Sequence, residues 1–488
     1  MNKQEKKAEN RRPKERYDVR YPFWILCILA PVMVVIWLYL KLFHQIRITK
    51  DPRLEEIKDE PWVVLGNHGS YFDAPIMTIA FFPKRIHYVM SNSFMATWWG
   101  AFIIKVLQQI PKSQFFVEAK SVIAMKRAVA AGASVGLYPE GRMTLTGRLG
   151  YLAPAVGKLV KSFGIPVVAV KEEGVSLGRP LWAKQSRRGP IEVHCRLLLS
   201  REEIARLTAE EVYQRIVREL SYNDHQWQAE KGTLYKCSRP AEGLENLLHR
   251  CPACRQDFAM TSQRERLVCK HCGFTVQFSG QSRLQPAAGF SWPAQALESI
   301  PLWYDWQGAC LKERLTRQEA EVREAEVQEA DRAMDQAGAE AMQAEAMLVE
   351  AMLVEAMQAE AGLPRQAAAA AIRPIAETAV DIEVLLKEDF RPRPWGSGLL
   401  TLKREGLMLT SDDEERPLPD RDGNVCGQGS INGAANQIFF PAGLLPTITG
   451  TLGSHVDLPG LKALYRLNFA EPGQPVFWMQ AVEALAEK

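Results

Sequence analysis

The sequence predicts an α/β chain with appended modules: a mixed sheet flanked by helices, an apolar segment ahead of it, and three further units behind it. Three observations carry this. Between Ile46 and His225, strand-like runs alternate with helix-like ones, as in layered α/β folds. Ahead of that stretch, Tyr21 to Leu40 holds no charged residue. Behind it come two Cys-x-x-Cys pairs, then a Pro-free stretch rich in Ala, Glu and Met, then a set of short apolar runs.

At 488 residues the chain has room for two to four domains. A formal net charge of +3 names no partner by itself, and 47% hydrophobic residues fit a globular protein with a membrane segment. There are nine cysteines, four of them in one cluster, which argues for a reducing compartment and against a disulfide framework. Cys27, Cys195, Cys237, Cys310 and Cys426 read as scattered thiols.

Residues 1–45 are expected to form a basic tail and a hydrophobic membrane anchor. Arg11, Arg12, Lys14, Arg16 and Arg20 suit anionic lipid head groups. A helix over Tyr21 to Leu40 would rise about 30 Å, enough to cross a bilayer core. Tyr21, Trp24, Trp37 and Tyr39 stand near its ends, where interfacial anchors sit. A cleaved signal peptide is the other reading, but no small-residue cleavage site is evident and the cysteine cluster argues against export. Pro31, mid-segment, either kinks one span or splits it into two pieces that dip into one leaflet. The upstream basic residues favour a cytosolic N-terminus, so a full span would put the rest of the chain outside. A re-entrant or interfacial anchor reconciles this with the thiols, and places the catalytic domain on the cytoplasmic side of the membrane.

Within residues 46–235, strands are expected at Trp62–Leu65, Ile86–Met90, Val135–Tyr138, Pro166–Val170 and Ile191–Leu199. Helices are expected at Ala74–Phe81, Met95–Leu107, Val122–Ala131, Ala153–Ser162 and Ala209–Ser221. Two motifs follow strand-like runs. The first is Asn67-His68-Gly69-Ser70-Tyr71-Phe72-Asp73. Gly66 and Gly69 would loosen the backbone around His68, and Asp73, five residues on, is about one and a half helical turns away. A carboxylate holding one imidazole nitrogen leaves the other free as a general base near neutral pH. A capping or packing pair is the plainer reading of such spacing. The second motif is Tyr138-Pro139-Glu140-Gly141-Arg142, in which Pro139 and Gly141 force a tight turn.

In this order and spacing the two motifs resemble those of the glycerolipid acyltransferase family, whose best-known members are 1-acylglycerol-3-phosphate acyltransferases. The resemblance spans roughly residues 46 to 225, with Tyr138 where a Phe is usual. It implies a glycerolipid-acyltransferase-like mixed sheet flanked by helices, with the His-Asp block at the sheet's edge, and N-terminal membrane anchors comparable to this one. It implies that His68 takes the proton of a lysophospholipid hydroxyl as that oxygen attacks an acyl thioester, carried by coenzyme A or acyl carrier protein. Base assistance of this kind is worth about 10²–10⁴ in rate. Asp73 would hold the tautomer. Arg142, with Glu140 and Gly141 in the same turn, would bind the acceptor, and Glu140 would orient the Arg142 loop. Lys112 stands near where the family has a phosphate-binding Arg; a solvated lysine after a turn competes with that reading. Ile165 to Val170 resembles the family's last block and reads as a core strand flooring the pocket. Ser70 is not needed as a nucleophile, and no third ligand near His68 and Asp73 supports a metal site. Arg179 to Lys184 with Arg187 and Arg188 reads either as a membrane-facing phosphate contact or as a solvated loop.

Residues 236–280 are expected to form a zinc-ribbon module. Cys251 and Cys254, then fourteen residues, then Cys269 and Cys272 have the spacing of two knuckles closing one tetrahedral structural Zn²⁺ site. A redox role for the pairs is the alternative. Residues 281–310 read as a linker. Residues 311–362 read as one long helix whose pentad repeats, Ala341 to Glu360, spiral their apolar positions around the axis. That spiral argues against a regular coiled coil there, and for a spacer or an irregular self-association helix. Residues 363–380 form a second linker. Residues 381–488 read as a β-rich domain closed by a helix over Pro475–Leu485, comparable to a pleckstrin-homology barrel, with Leu399–Leu402 and Leu407–Thr410 as a hairpin.

Two functions follow. One is a membrane-bound acyltransferase making phosphatidate or a related lipid. The other is a catalytically silent membrane adaptor whose zinc ribbon, helix and C-terminal domain recruit partners. Nucleic acid is excluded as a partner, because no basic stripe or recognition helix accompanies the basic turn.

Overall fold

The computed structural model describes residues 17–112, 119–293, 297–317, 320–321, 323–325, 327–328, 332, 376–386, 392–403, 406–412, 437–441, 449–452, 454–459 and 463–486. The apolar segment forms one helix, α1 (Phe23–His44), with Pro31 inside it. The expected split at Pro31 does not occur. Proline removes one donor and crowds one carbonyl, and the apolar run on both sides carries the helix through. Its 22 residues, with an 18-residue window of mean hydropathy 2.5, are long and apolar enough to cross a membrane. Phe23, Trp24, Ile28, Val34 and Val35 are exposed, whereas Leu40 and His44 at the C-terminal end are buried. Leu40 packs in the same cluster as Ile76 and Met77 of α2 (Asp73–Phe81).

The α/β unit is a seven-stranded sheet in the order β1-β7-β6-β2-β5-β3-β4. Its strands are β1 (Arg47–Lys50), β2 (Val63–Gly66), β3 (Ile86–Ser91), β4 (Ile110–Lys112), β5 (Ser134–Leu137), β6 (Val167–Glu173) and β7 (Glu192–Leu199). β2 is central and parallel to both β5 and β6, and β7 runs antiparallel to β6. The sheet is therefore mixed, and the expected strands all appear within three residues of their expected bounds. β1 and β4 are edge strands of three or four residues, too short to announce themselves by alternation.

Burial explains the order. All residues of β2 and β5 are buried, as central parallel strands require. Val63 and Leu65 point into one apolar layer, with Val160, Val212, Ile216 and Leu220. Val64 points into the other, with Ile76, Met77 and Leu40. This is the period-two alternation of a strand covered on both faces. The first layer is made by α4 (Ala119–Ala130), α5 (Ala155–Lys161) and α7 (Ala209–Leu220). α7 presents Val212, Ile216 and Leu220 at four-residue spacing and starts at a Thr208–Glu211 capping box. The expected Met95–Leu107 helix is a 3₁₀ turn, Asn92–Ala96, followed by α3 (Trp98–Val106), which Thr97 caps. Two short helices, α6 (Val175–Gly178) and α8 (Asp224–Lys231), lie beside β6.

The cysteine module is a four-stranded sheet of β8 (Met260–Gln263), β9 (Arg266–Cys269), β10 (Thr275–Phe278) and β11 (Leu284–Pro286), in the order β11-β10-β9-β8. The stretch expected as a linker joins it: Leu284, Leu297, Ile300 and Trp303 are buried in its core with Trp182 of the α/β unit. The basic turn is likewise neither solvated nor membrane-facing at its centre. The Arg187 guanidinium is buried between the rings of Trp182 and Phe278, 4.6 and 4.7 Å from their centroids. Arginine buries readily against aromatic faces, which charge counting along a sequence does not reveal.

Helix α9 covers residues 300–317 and so begins before Leu311. The pentads of Ala341–Glu360, the second linker up to residue 375, and Cys426 lie outside the described residues. The C-terminal strands are β12 (Ala376–Leu386), β13 (Pro392–Lys403), β14 (Gly406–Ser411), β15 (Gln437–Pro441), β16 (Thr449–Thr451), β17 (His455–Pro459) and β18 (Ala463–Asn468). They form one antiparallel sheet in the order β15-β14-β13-β12-β18-β17-β16, followed by α10 (Gln474–Ala486). Leu400 opposes Leu409 and Leu402 opposes Leu407, the register of the expected hairpin. Phe477, Trp478, Val482 and Leu485 of α10 are buried with the apolar residues of this sheet.

Gly66 and Gly69 serve packing and not a left-handed backbone. A Cβ on Gly69 would sit 2.3 Å from Cγ1 of Val175, and one on Gly66 would sit 2.7 Å from Cε of Met77. Gly69→Ala should therefore destabilise the protein by about 1–3 kcal/mol, the cost of overpacking a stiff site. Urea unfolding followed by fluorescence measures this; an unchanged midpoint would contradict it.

Candidate active site at the end of strand β2

The chain leaves β2 at Gly66, turns through Asn67 to Phe72 and enters α2 at Asp73. His68 therefore lies on a turn that leads from a strand end into a helix. Asp73 opens α2 and its carboxylate reaches back across the turn to Nδ1 of His68, at 2.7 Å. The Ser70 N–H donates to both Asp73 oxygens, at 2.9 and 3.0 Å, and the Ser70 hydroxyl donates to Oδ1 at 3.2 Å. Asp73 is fully buried, and an anion at a helix N-terminus is further favoured by the helix dipole. Acceptance of the Nδ1–H by Asp73 assigns the tautomer, which leaves Nε2 as the basic nitrogen. No described residue engages Nε2, and the His68 side chain is 25% exposed.

The imidazole lies on the Tyr138 ring, with centroids 4.5 Å apart and planes 21° from parallel. Gly66 makes room for that ring, since a Cβ there would fall 2.9 Å from Tyr138 Cε1. The Tyr138 hydroxyl has no hydrogen-bond partner among the described residues. Only its aromatic face is used, which is why a Phe would serve at this position.

The second motif holds the first. Glu140 accepts the His68 N–H at 2.8 Å through Oε1 and the Gly150 N–H at 2.8 Å through Oε2. The Thr144 N–H donates to the His68 carbonyl at 2.8 Å. Gly141 turns the chain between them with φ near 69°, a conformation glycine adopts without strain. Burial pushes the Glu140 carboxyl up to about 7 against the pull of these two N–H donors.

Two further buried acids stand behind the dyad. The Asn67 amide exchanges hydrogen bonds with the Glu172 backbone, at 2.9 and 2.7 Å. The Glu172 carboxyl is fully buried with neither oxygen hydrogen-bonded among the described residues. Burial first, and the negative charge of Asp73 second, hold it protonated well above the usual carboxylate range. Asp224 caps the short helix α6 through the N–H groups of Gly174 and Ser176, at 2.9 and 3.2 Å, and burial raises it to about 7. Sequence reasoning missed both. Glu172 ends an apolar strand beside Lys171 and Glu173, where a solvated strand end reads the same way.

Arg142 does not stand open. Its Nη2 donates to Oε1 of Glu483 on α10, a residue 341 positions away. Lys112 ends β4, paired with Ser91 of β3. β3 adjoins β5 and β5 adjoins β2, so Lys112 rises from the same sheet edge as His68, three strand spacings or roughly 14 Å away. Val167 to Val170 are fully buried and floor the site.

The four cysteines of the cysteine module converge. The sulfurs of Cys251, Cys254, Cys269 and Cys272 all lie within 4.8 Å of one another. Cys251–Cys272 and Cys254–Cys269 are each 3.7 Å apart. A tetrahedral site with metal–sulfur bonds of about 2.3 Å needs sulfurs ~3.8 Å apart, so the donor set fits a metal in both distance and chemistry.

The buried acids make stability depend on pH. A carboxyl whose native value is raised favours folding below its unfolded value of about 4.3 and loses that contribution as pH rises toward the native value. Glu172→Gln removes the ionisation and keeps the shape. Its stability relative to wild type should grow as pH rises from about 5 toward neutrality. Unfolding midpoints that stay parallel across that range would contradict this.

Comparison with known proteins gives two findings. Residues 45–171 match the family model described as Acyltransferase. Among solved structures, the chain is similar to the 1-acyl-sn-glycerophosphate (LPA) acyltransferase PlsC from Thermotoga maritima, at 15% identity and a TM-score of 0.32. That match covers 38% of this chain and 72% of the other. The matched residues contain β2, the His68–Asp73 turn and the Glu140–Arg142 turn.

Proposed function

We propose that this protein transfers a fatty acyl group from a thioester donor, acyl-coenzyme A or acyl carrier protein, to the hydroxyl of a lysophospholipid. The acceptor we favour is 1-acylglycerol-3-phosphate, giving phosphatidate. The observation that carries this reading is the 2.7 Å bond from His68 Nδ1 to a buried Asp73, with Nε2 engaged by no described residue and the side chain 25% exposed.

The chemistry balances on these groups. Nε2 takes the acceptor's hydroxyl proton as that oxygen bonds to the thioester carbon. The tetrahedral adduct collapses with cleavage of the carbon–sulfur bond, and the imidazolium returns the proton to the leaving thiolate. Asp73 stabilises the imidazolium and holds the ring in plane. Glu140 and Thr144 fix the His68 backbone, which keeps Nε2 where the hydroxyl must arrive; such positioning contributes as much as the base itself. Ser70 has its hydroxyl committed to Asp73, which supports direct transfer without an acyl-enzyme. Arg142, with Lys112 along the same edge, is the cation set for an acceptor phosphate. Glu140 supports that loop and does not take a proton in the reaction.

α1 serves as the membrane attachment, with the domain at the cytoplasmic surface. The four thiolates hold a structural Zn²⁺, since four protein ligands leave no open position. The metal would tie the two knuckles together, and the C-terminal sheet with α10 forms a pleckstrin-homology-like module packed on the rest.

His68→Ala should lower acceptor-dependent thiol release by at least about 10²-fold while leaving the fold intact. The assay offers acyl-coenzyme A or acyl carrier protein with lysophosphatidate to detergent-solubilised full-length protein. No release from folded wild type with any pairing would favour the adaptor reading. Metal analysis should find one zinc per chain. Cys254→Ser should lose it and lower the melting temperature, because metal binding and folding of so small a module are coupled.

A further inference from the structure

Resting on that reading, we infer that the C-terminal helix α10 is an acceptor-displaced latch: Glu483 occupies the Arg142 guanidinium that the acceptor's anionic head group must claim.

The contact is built, not incidental to a loose tail. α10 is anchored by Phe477, Trp478, Val482 and Leu485 in the core of the C-terminal domain. Gln480 and Glu483, three residues apart and so on one face, meet α9 and the Arg142 loop respectively. The Gln480 side chain donates to the Tyr304 carbonyl of α9 at 3.0 Å and accepts from Gln307 at 3.3 Å. Glu483 then reaches Arg142. The loop that follows is held at a second charged point, where Arg148 grips Asp305 of α9 through two bonds of 2.9 and 2.6 Å. Between them Leu145 packs against the apolar clusters of both C-terminal modules. This loop also carries Thr144, which holds the His68 carbonyl. The C-terminal domain is thus coupled to the catalytic histidine through one seven-residue segment, Arg142 to Arg148.

A guanidinium recognises one planar anion well, and carboxylate and phosphate compete for the same fork. The Arg142 and Glu483 side chains are 22% and 28% exposed. A pair this open is screened and readily exchanged. A phosphate monoester, with more charge and three acceptor oxygens, can replace the carboxylate; a neutral acceptor cannot. Glu483 therefore raises the concentration of acceptor needed and biases the site toward anionic head groups.

The test is steady-state kinetics of full-length protein with lysophosphatidate and, separately, with the uncharged acceptor monoacylglycerol. Glu483→Gln should lower KM for lysophosphatidate by about two- to fivefold, the range of a partly exposed ion pair, with kcat nearly unchanged and monoacylglycerol turnover unaffected. Asp305→Asn, which loosens the same docking at an exposed site, should shift KM in the same direction. Independently of turnover, lysophosphatidate should increase amide exchange in residues 474–486 of wild type and not of Arg142→Ala. Turnover with KM unchanged or raised in both variants, or exchange in α10 insensitive to lysophosphatidate, overturns the latch alone. Absence of acceptor-dependent turnover in wild type and in every variant overturns the acyl-transfer reading and the latch with it.

Discussion

The site depends on the fastening of one residue's backbone. His68 is gripped on both sides of its peptide: its N–H by the Glu140 carboxylate and its carbonyl by the Thr144 N–H. Both partners lie on the turn after β5, the parallel neighbour of β2. Adjacent parallel strands deliver their C-terminal loops to the same edge of a sheet, so two motifs some seventy residues apart become one structure. A free imidazole on a flexible turn would titrate but would not aim. Here the ring is stacked on Tyr138, its Nδ1 is tied to a buried aspartate, and its main chain is clamped.

Rigidity of this kind has an electrostatic cost. Asp73 is fully buried and is held by the Ser70 groups at the start of α2. The acids around it are buried as well. Glu172 stays protonated, and Glu140 and Asp224 are raised to about 7, because burial penalises each additional negative charge. Burial thus holds back the neighbours of the His68–Asp73 pair from becoming anions.

The appended modules are not strung out along the chain. Trp182 and Arg187 of the α/β unit insert into the core of the cysteine module, α9 covers that core, and α10 reaches back to the loop beside His68. This packing recruits residues that look unremarkable in isolation. Arg187 reads as one charge in a basic turn, and becomes a buried plate between two aromatic rings. Trp303 reads as part of a connector, and becomes a fully buried member of the core.

Much of this protein was legible in its residues because local chemistry decides it. Unbroken apolar runs marked the central strands, since burial on both faces requires them, and an uncharged twenty-residue stretch marked α1. The His-Asp turn, the Glu140–Arg142 turn and the two cysteine pairs were legible because their spacing is itself the constraint. Short edge strands escaped, being too brief to show a period. Other features were decided only by the tertiary structure. That Asp73 reaches His68 from a helix start, that Glu140 holds a backbone, that Glu172 lies buried against Asp73 and that Glu483 meets Arg142 across 341 residues all depend on contacts distant in sequence. Those contacts depend on which strand lies beside which, and that order follows from burying both faces of one sheet at once, a condition on the whole chain that no single segment expresses.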